Sequence, residues 1–431
     1  MGKIGNRNER IEWFRDAGFG LFIHWSIDSQ LGSVISHSLV GASEVYVKKW
    51  FEALPKTFNP KKFDPDDWAV LAKLAGFKYV VFTTKHHSGF CMFDTSTTDF
   101  NIMNTPYGKD LTAQLVKAFR DQGIAIGFYF SPDDFYFLHA HGKVIARSPH
   151  PGVTPQENRD LMEYDKAQIM ELLSNYGDID IMFLDGPAEG LKELCWELQP
   201  NMVVTRGAME TPEQYIPGVP IEGLWESCLT MGTQWQYKPT NETYKSGTEL
   251  IELLIETRAK GGNLLLNIGP KPDGEIPIEQ EERLRQIALW MFVNSESIYN
   301  VRPWAVTNES NVWFTKRKGE DTVYAFITKT PLKWGEPNNF ALKSVKATED
   351  TTVDVLGQSG EVLEYCPDVV PRTKWHQDEQ GLRITATRTQ RLYNDRSWPN
   401  PIVLKITHAE PGMIEYVKRF LTPQPSPLLG I

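Results

Sequence analysis

Residues 79–90, Tyr79-Val-Val-Phe-Thr-Thr-Lys-His-His-Ser-Gly-Phe90, decide the fold: a β-branched and aromatic run ends abruptly in polar groups and a glycine. The same pattern recurs at Phe19–Trp25, Ala125–Ser131, Ile179–Asp185, Met202–Arg206, Gly223–Cys228 and Asn263–Ile268. Helical stretches separate these runs, which predicts parallel strands joined by crossover helices. An eighth strand near Ile298–Val301 would close a (β/α)8 TIM-like barrel. Helix ends are readable between the strands. In Asp64-Pro-Asp-Asp, Asp64 caps the first free N–H groups, Pro65 suits the first helical position, and Gly76 ends the apolar stripe Trp68, Leu71, Ala72, Ala75.

After Arg302-Pro-Trp the pattern changes to β-branched or alternating runs between Gly, Pro, Asn and Asp turns, at Val312–Thr315, Thr322–Ile327, Thr352–Leu356, Leu382–Thr387 and Ile402–Ile406. The chain is therefore expected to hold a catalytic barrel over 1–302 and a C-terminal antiparallel β-sandwich over 303–431, which its 431 residues accommodate.

Composition narrows the function. With 45 basic against 55 acidic residues the net charge is -10, and no basic block stands out, which argues against nucleic acid or an anionic membrane surface as partner. No window approaches the ~18 apolar residues of a membrane-spanning helix. Cys91, Cys195, Cys228 and Cys366 lie far apart and read as buried thiols, not as a zinc cage or disulfide framework. Met1 through Arg10 lacks the apolar core of a secretory signal, as expected of a cytoplasmic chain or a processed periplasmic or secreted one.

In a barrel of this kind reacting groups sit where strands end at the carboxyl face. Six predicted strand ends carry polar groups there: His24, His86 with His87, Ser131, Asp185, Arg206 and Glu226. Asp185 ends an apolar strand, where a carboxylate needs a partner or a task. Period two puts Glu222, Leu224 and Glu226 on one face of strand six, with Glu226 nearer the carboxyl end. Two carboxylates between aromatic walls are the equipment of glycoside cleavage. A metal-dependent hydrolase using His86, His87, Asp133, Asp134, His139 and His141 is a rival reading, and so is a sugar-binding module with weakened catalysis.

These residues, with Phe22-Ile-His-Trp25, Gly127-Phe-Tyr-Phe-Ser131, Phe183-Leu-Asp-Gly186, Trp225-Glu-Ser-Cys228 and Gly261-Gly-Asn-Leu-Leu-Leu-Asn-Ile-Gly-Pro270, strongly resemble the α-L-fucosidases of glycoside hydrolase family 29 over residues 11–304. The resemblance implies a retaining exo-glycosidase that removes terminal α-L-fucose by double displacement. Asp185 matches the nucleophile, and Glu226 falls in the segment where many members carry the acid/base. His24, His86 and His87 match histidines that bind the sugar hydroxyls, Glu44 matches the family's Glu in a Glu-Trp-Tyr-like segment, and Tyr129 and Arg206 match a Tyr and an Arg near the nucleophile. Trp235 is expected in the aromatic wall. The implied partner is a fucosylated oligosaccharide or glycoconjugate, with a homo-oligomer left open and neither cofactor nor metal expected. The chain departs from the common motif at Ser26, Val45, Ser88 and Phe183, and the stretches Asp28–Ser43 and Pro132–His150 are unusual. On this reading Asp185 and Glu226 stand about 5–5.5 Å apart.

Overall fold

The computed structural model describes residues 4–392 and 397–412. Seven of the predicted strands form one parallel sheet: β1 (Phe19–Ile23), β2 (Tyr79–Lys85), β3 (Ala125–Phe130), β4 (Ile181–Leu184), β5 (Val203–Val204), β6 (Glu226–Thr230) and β7 (Asn263–Ile268). Their order is β5-β4-β3-β2-β1-β7-β6. Helices α1 (Asn8–Ala17), α2 (Glu44–Thr57), α3 (Pro65–Ala75), α4 (Leu111–Asp121), α5 (Phe135–Ala140), α6 (Arg159–Asn175), α7 (Leu191–Leu198), α8 (Gly247–Ala259) and α9 (Ile278–Asn294) precede or follow them. Local rules set several ends: the Asp64 side chain accepts from the Asp67 N–H at the start of α3, and Gly76 closes that helix with φ +90°.

The expected eighth barrel strand does not form. β7 pairs directly with β1, Phe19 opposite Leu264, leaving no slot between them, and Val301–Glu309 instead begins an antiparallel sheet. The sheet curls toward closure by another route. The irregular segment after β5 runs beside β6, where the Glu226 N–H donates to Glu210 O at 3.1 Å, the Cys228 N–H to Pro212 O at 3.0 Å and the Gln214 N–H to Cys228 O at 3.0 Å.

Period two sends Phe22, Tyr79, Val81, Tyr129, Ile181, Phe183, Val203, Cys228 and Leu265 into one interior cluster, with Phe14 of α1 packed on its lower end. Gly20 is required there. The Tyr79 ring occupies the space where a side chain at residue 20 would stand, a Cβ falling 2.1 Å from the ring.

The chain divides into two compact units, one of residues Met1–Leu250 and Gly262–Phe292 and one of Ile251–Gly261 and Val293 onward. The β-rich unit also takes most of α8 and the end of α9. That unit holds a five-stranded antiparallel sheet in the order Val353–Val355, Ile402–Ile406, Val323–Ile327, Val312–Arg317, Val301–Glu309, and a three-stranded sheet of Pro337–Leu342, Gly381–Thr387 and Lys374–Asp378. Cys91, Cys195 and Cys228 are buried free thiols, and Cys366 is half-buried. Among the described residues no helix is long and apolar enough to cross a membrane.

Forcing a methyl group against the Tyr79 ring should cost about 1–3 kcal/mol, the usual penalty for overpacking a core. Gly20→Ala is therefore expected to lower the thermal midpoint. Gly218→Ala, in open space, should remain within about 0.5 kcal/mol of the parent.

Candidate active site

On β4 the inward positions are Ile181 and Phe183, so the next is Asp185, one step beyond the strand end. Its main-chain N–H still donates to Phe130 O at 3.0 Å, which fixes the carboxylate at the carboxyl rim. Arg206 Nη1 donates to Oδ1 at 2.8 Å and the Tyr129 hydroxyl to Oδ2 at 2.6 Å, while His87 Nε2 lies 3.6 Å from Oδ2. Burial alone would raise the Asp185 carboxyl; the His87 and Arg206 charges and the Tyr129 hydroxyl more than reverse this and hold it well below the usual range. Since burial pushes His87 itself down to about 3, that imidazole is neutral near pH 7, and we assign the ionisation of Asp185 chiefly to Arg206.

Arg206 follows β5 and is held on both sides. Nε donates to Thr211 Oγ1 at 3.0 Å, Nη2 to Thr211 O at 3.2 Å, and the guanidinium lies 4.7 Å from the Phe183 ring centre. Its Nη1 also meets Glu213 Oε2 at 2.9 Å. One nitrogen at 2.8 and 2.9 Å from the two carboxylates puts the contacting oxygens no more than about 5.7 Å apart. The Asp185 side chain is 18% exposed and that of Glu213 45%, so Glu213 faces the solvent side.

The expected partner of Asp185 was Glu226. Strand six was expected over Gly223–Cys228, with Glu226 near its end; the observed strand starts at Glu226. Pairing with β7 sets this register, Glu226 opposite Asn263 and Thr230 opposite Asn267. Asn267 is the residue that reaches His24, so Glu226 lies four residues, about 13 Å, below that level. There it is fully buried and accepts a hydrogen bond from the Tyr79 hydroxyl at 2.5 Å, and burial pushes its pKa up to about 8. Glu226 is a group of the barrel floor.

One wall beside Asp185 is built of imidazoles. The rings of His24, His86 and Tyr129 are neighbours, His86 stacking on Tyr129 at 5.1 Å, and Trp235 lies 4.8 Å from His24. Burial lowers His24 to about 4 and puts His86 well below its ordinary value, with the neighbouring imidazoles and Arg147 adding to the effect on His86. Each neutral ring then has one donor and one acceptor nitrogen, and the far partner decides which. Asn267 gives its amide N–H to Trp235 O, so its Oδ1 accepts from His24 Nδ1 at 2.6 Å, leaving His24 Nε2 bare. Ser131 gives its hydroxyl proton to Asp133 O, so Ser131 Oγ must accept from His87 Nδ1 at 2.5 Å, leaving His87 Nε2 bare as well.

Glu44 is not part of this wall. It stands in the first turn of α2 with its side chain 77% exposed, and its Oε1 lies 3.0 Å from His139 Nε2. That contact also takes His139 away from the cluster imagined for a metal hydrolase, while His141 bonds to Phe137 O. His86, His87 and Asp185 do offer ligand atoms within 4.8 Å of one another, but Arg206 already brings a positive charge to Asp185.

Sequence reasoning missed four groups here. Glu213 sits in a segment with neither strand nor helix period; its signal is a carboxylate shortly after a strand-end arginine. Ser36 and His37 come from the unusual Asp28–Ser43 stretch, the His37 ring 5.4 Å from His87. Arg147 comes from Pro132–His150, its Nε bonded to Asp133 at 2.7 Å, and its charge is felt at Asp185 and His87.

A parallel barrel-like sheet with paired carboxylates, a shared guanidinium and neutral imidazoles at its carboxyl rim defines a glycoside hydrolase. The α-L-fucosidase family model matches residues 4–296, and the chain belongs to that family, glycoside hydrolase family 29. It is 31% identical to the tissue α-L-fucosidase of Rattus norvegicus over 411 residues, covering 86% of this chain and 85% of that protein. Among solved structures it resembles α-L-fucosidase isoenzyme 1 from Paenibacillus thiaminolyticus (28% identity, TM-score 0.74, 93% and 99% of the two chains) and the Thermotoga maritima α-fucosidase in complex with fucose (26%, TM-score 0.71, 92% and 96%). The chain is thus an α-L-fucoside hydrolase.

Because the folded-state pKa of Glu226 lies above its ordinary 4.5, its protonated form stabilises the fold, and that contribution drains away as pH rises from about 4.5 through about 8. Thermal melts should show the parent losing stability over this window relative to Glu226→Gln. Turnover by the variant should stay within about threefold of the parent, since the Glu226 carboxyl is engaged by the Tyr79 hydroxyl.

Proposed function

We propose that this chain removes terminal α-L-fucose from glycans by retaining double displacement, with Asp185 as nucleophile and Glu213, not Glu226, as general acid/base. The observation carrying the reading is Arg206 Nη1, which Asp185 and Glu213 share. In the first step an Asp185 oxygen bonds to the anomeric carbon while the bond from that carbon to the leaving oxygen breaks, and Glu213 gives its proton to that oxygen. In the second, Glu213 takes a proton from water, the water oxygen bonds to the anomeric carbon, and the ester to Asp185 is released. An ionised Asp185 suits the nucleophile's duty, Glu213 stands on the solvent side from which a leaving group departs, and the Thermotoga maritima relative has been solved with a mechanism based inhibitor.

His24, His86 and His87 would hold the ring hydroxyls, with Trp235 and Phe183 offering apolar surface to the C5 methyl. One such methyl contact is worth about 1–3 kcal/mol, so α-L-galactosides should be poor substrates but not inert ones.

Asp185→Ala should lose at least about a thousandfold in kcat on an aryl α-L-fucoside, and azide should restore turnover with a β-fucosyl azide as product. Glu213→Gln should lose far less on substrates with good leaving groups than on natural fucosides, whereas Glu226→Gln should show no such split. An intact leaving-group dependence in Glu213→Gln would remove it from the acid/base role. Fucose binding without turnover by the parent would leave only a sugar-binding module.

A further inference from the structure

The Asp28–Ser43 stretch folds against the β2 rim through Ser36. Asp28 is fully buried, and its Oδ2 accepts the Ser36 N–H at 2.6 Å. That bond helps hold Ser36 in a left-handed conformation, φ +58°, which a non-glycine residue adopts only when its surroundings enforce it. The result puts the fully buried Ser36 hydroxyl between two groups of the β2 rim: it accepts the Ser88 N–H at 2.9 Å and lies 3.2 Å from His86 Nδ1.

Hydrogen accounting then selects a tautomer. If His86 Nδ1 carried the proton, Ser36 Oγ would accept twice and its own hydrogen would face no acceptor in a buried site, a costly arrangement. If instead Ser36 donates to His86 Nδ1, both groups are satisfied and the imidazole proton moves to Nε2. We propose that Ser36 is a positioning residue that holds His86 as the Nε2–H tautomer, so that His86 presents a donor to the sugar between the two acceptors presented by His24 and His87. Its consequence for substrate recognition rests on the fucosidase reading of the pocket; the tautomer itself does not. The pattern sorts substrates: two hydroxyls must donate to imidazoles and a third must accept. A neutral ring with the wrong tautomer would meet a hydroxyl lone pair with its own.

The test is imidazole ¹⁵N spectroscopy of the full-length protein labelled at histidine, with His86 assigned through His86→Gln. The parent should show a protonated Nε2 and bare Nδ1 for His86, and the reverse for His24 and His87. Ser36→Gly removes the hydroxyl while suiting the left-handed backbone, and so avoids the folding risk of Ser36→Ala. In Ser36→Gly the His86 signals should shift toward the Nδ1–H form, and KM for an aryl α-L-fucoside should rise about tenfold with a smaller change in kcat. A protonated Nδ1 on His86 in the parent, or an unchanged tautomer and KM in Ser36→Gly, overturns the proposal. The predicted tautomers in a protein that does not turn over fucosides would sink the functional reading and leave the Ser36 assignment standing.

Discussion

Two carboxylates that stand less than 6 Å apart repel one another, and here one nitrogen of Arg206 is fixed against both. The guanidinium cannot drift, because Thr211 holds two of its nitrogens and Phe183 lies under its plane. Thr211 and Glu213 belong to the same short segment, which bonds to β6. The curl of the sheet and the separation of the carboxylates are therefore one constraint: moving the detour along β6 would move both Glu213 and the clamp on Arg206.

A second layer of buried charge supports the β2 rim. Lys85, fully buried, meets Asp165 Oδ1 at 2.8 Å and Asp134 Oδ2 at 3.2 Å, and lies 4.2 Å from the Phe130 ring centre. Asp134 also caps α5 through the Phe137 N–H. One lysine cannot neutralise two carboxylates, and burial raises Asp165 to about 7, so near neutral pH the cluster can shed its surplus charge by taking up a proton. Such a cluster is an expensive way to gain stability. Its position suggests a different value: Lys85 directly precedes His86 and His87, and Asp134 adjoins Asp133, which anchors both Ser131 and Arg147. The neutral imidazoles thus rest on a floor of ions that are themselves locked.

Legibility in the sequence followed periodicity. β2 and β7 have the boundaries their apolar runs predict, and α3 starts and stops where Asp64 and Gly76 signal. Strand six was misread by three residues at its start and two at its end because Gly223-Leu-Trp-Glu-Ser-Cys228 shows no sharp boundary, and only the ladder to β7 sets one. A three-residue slip turns a rim carboxylate into a floor carboxylate. Ile298–Val301 failed for a related reason: an apolar run cannot tell which sheet will take it, and β1 had already paired with β7.

By itself the sequence determined the parallel α/β architecture, the β-rich second unit, the family, and the presence at strand ends of Asp185, Arg206, Tyr129 and three histidines, since each follows from residue type and period along the chain. Tertiary structure decided which carboxylate faces Asp185, which nitrogen of each imidazole is bare, and that Glu44 turns to His139. The physical reason is that these depend on contacts between residues far apart in sequence: Glu226 with Tyr79, His24 with Asn267, Ser36 with His86. A hydrogen bond across more than two hundred residues, such as the one from His24 to Asn267, leaves no periodic trace in the chain that makes it.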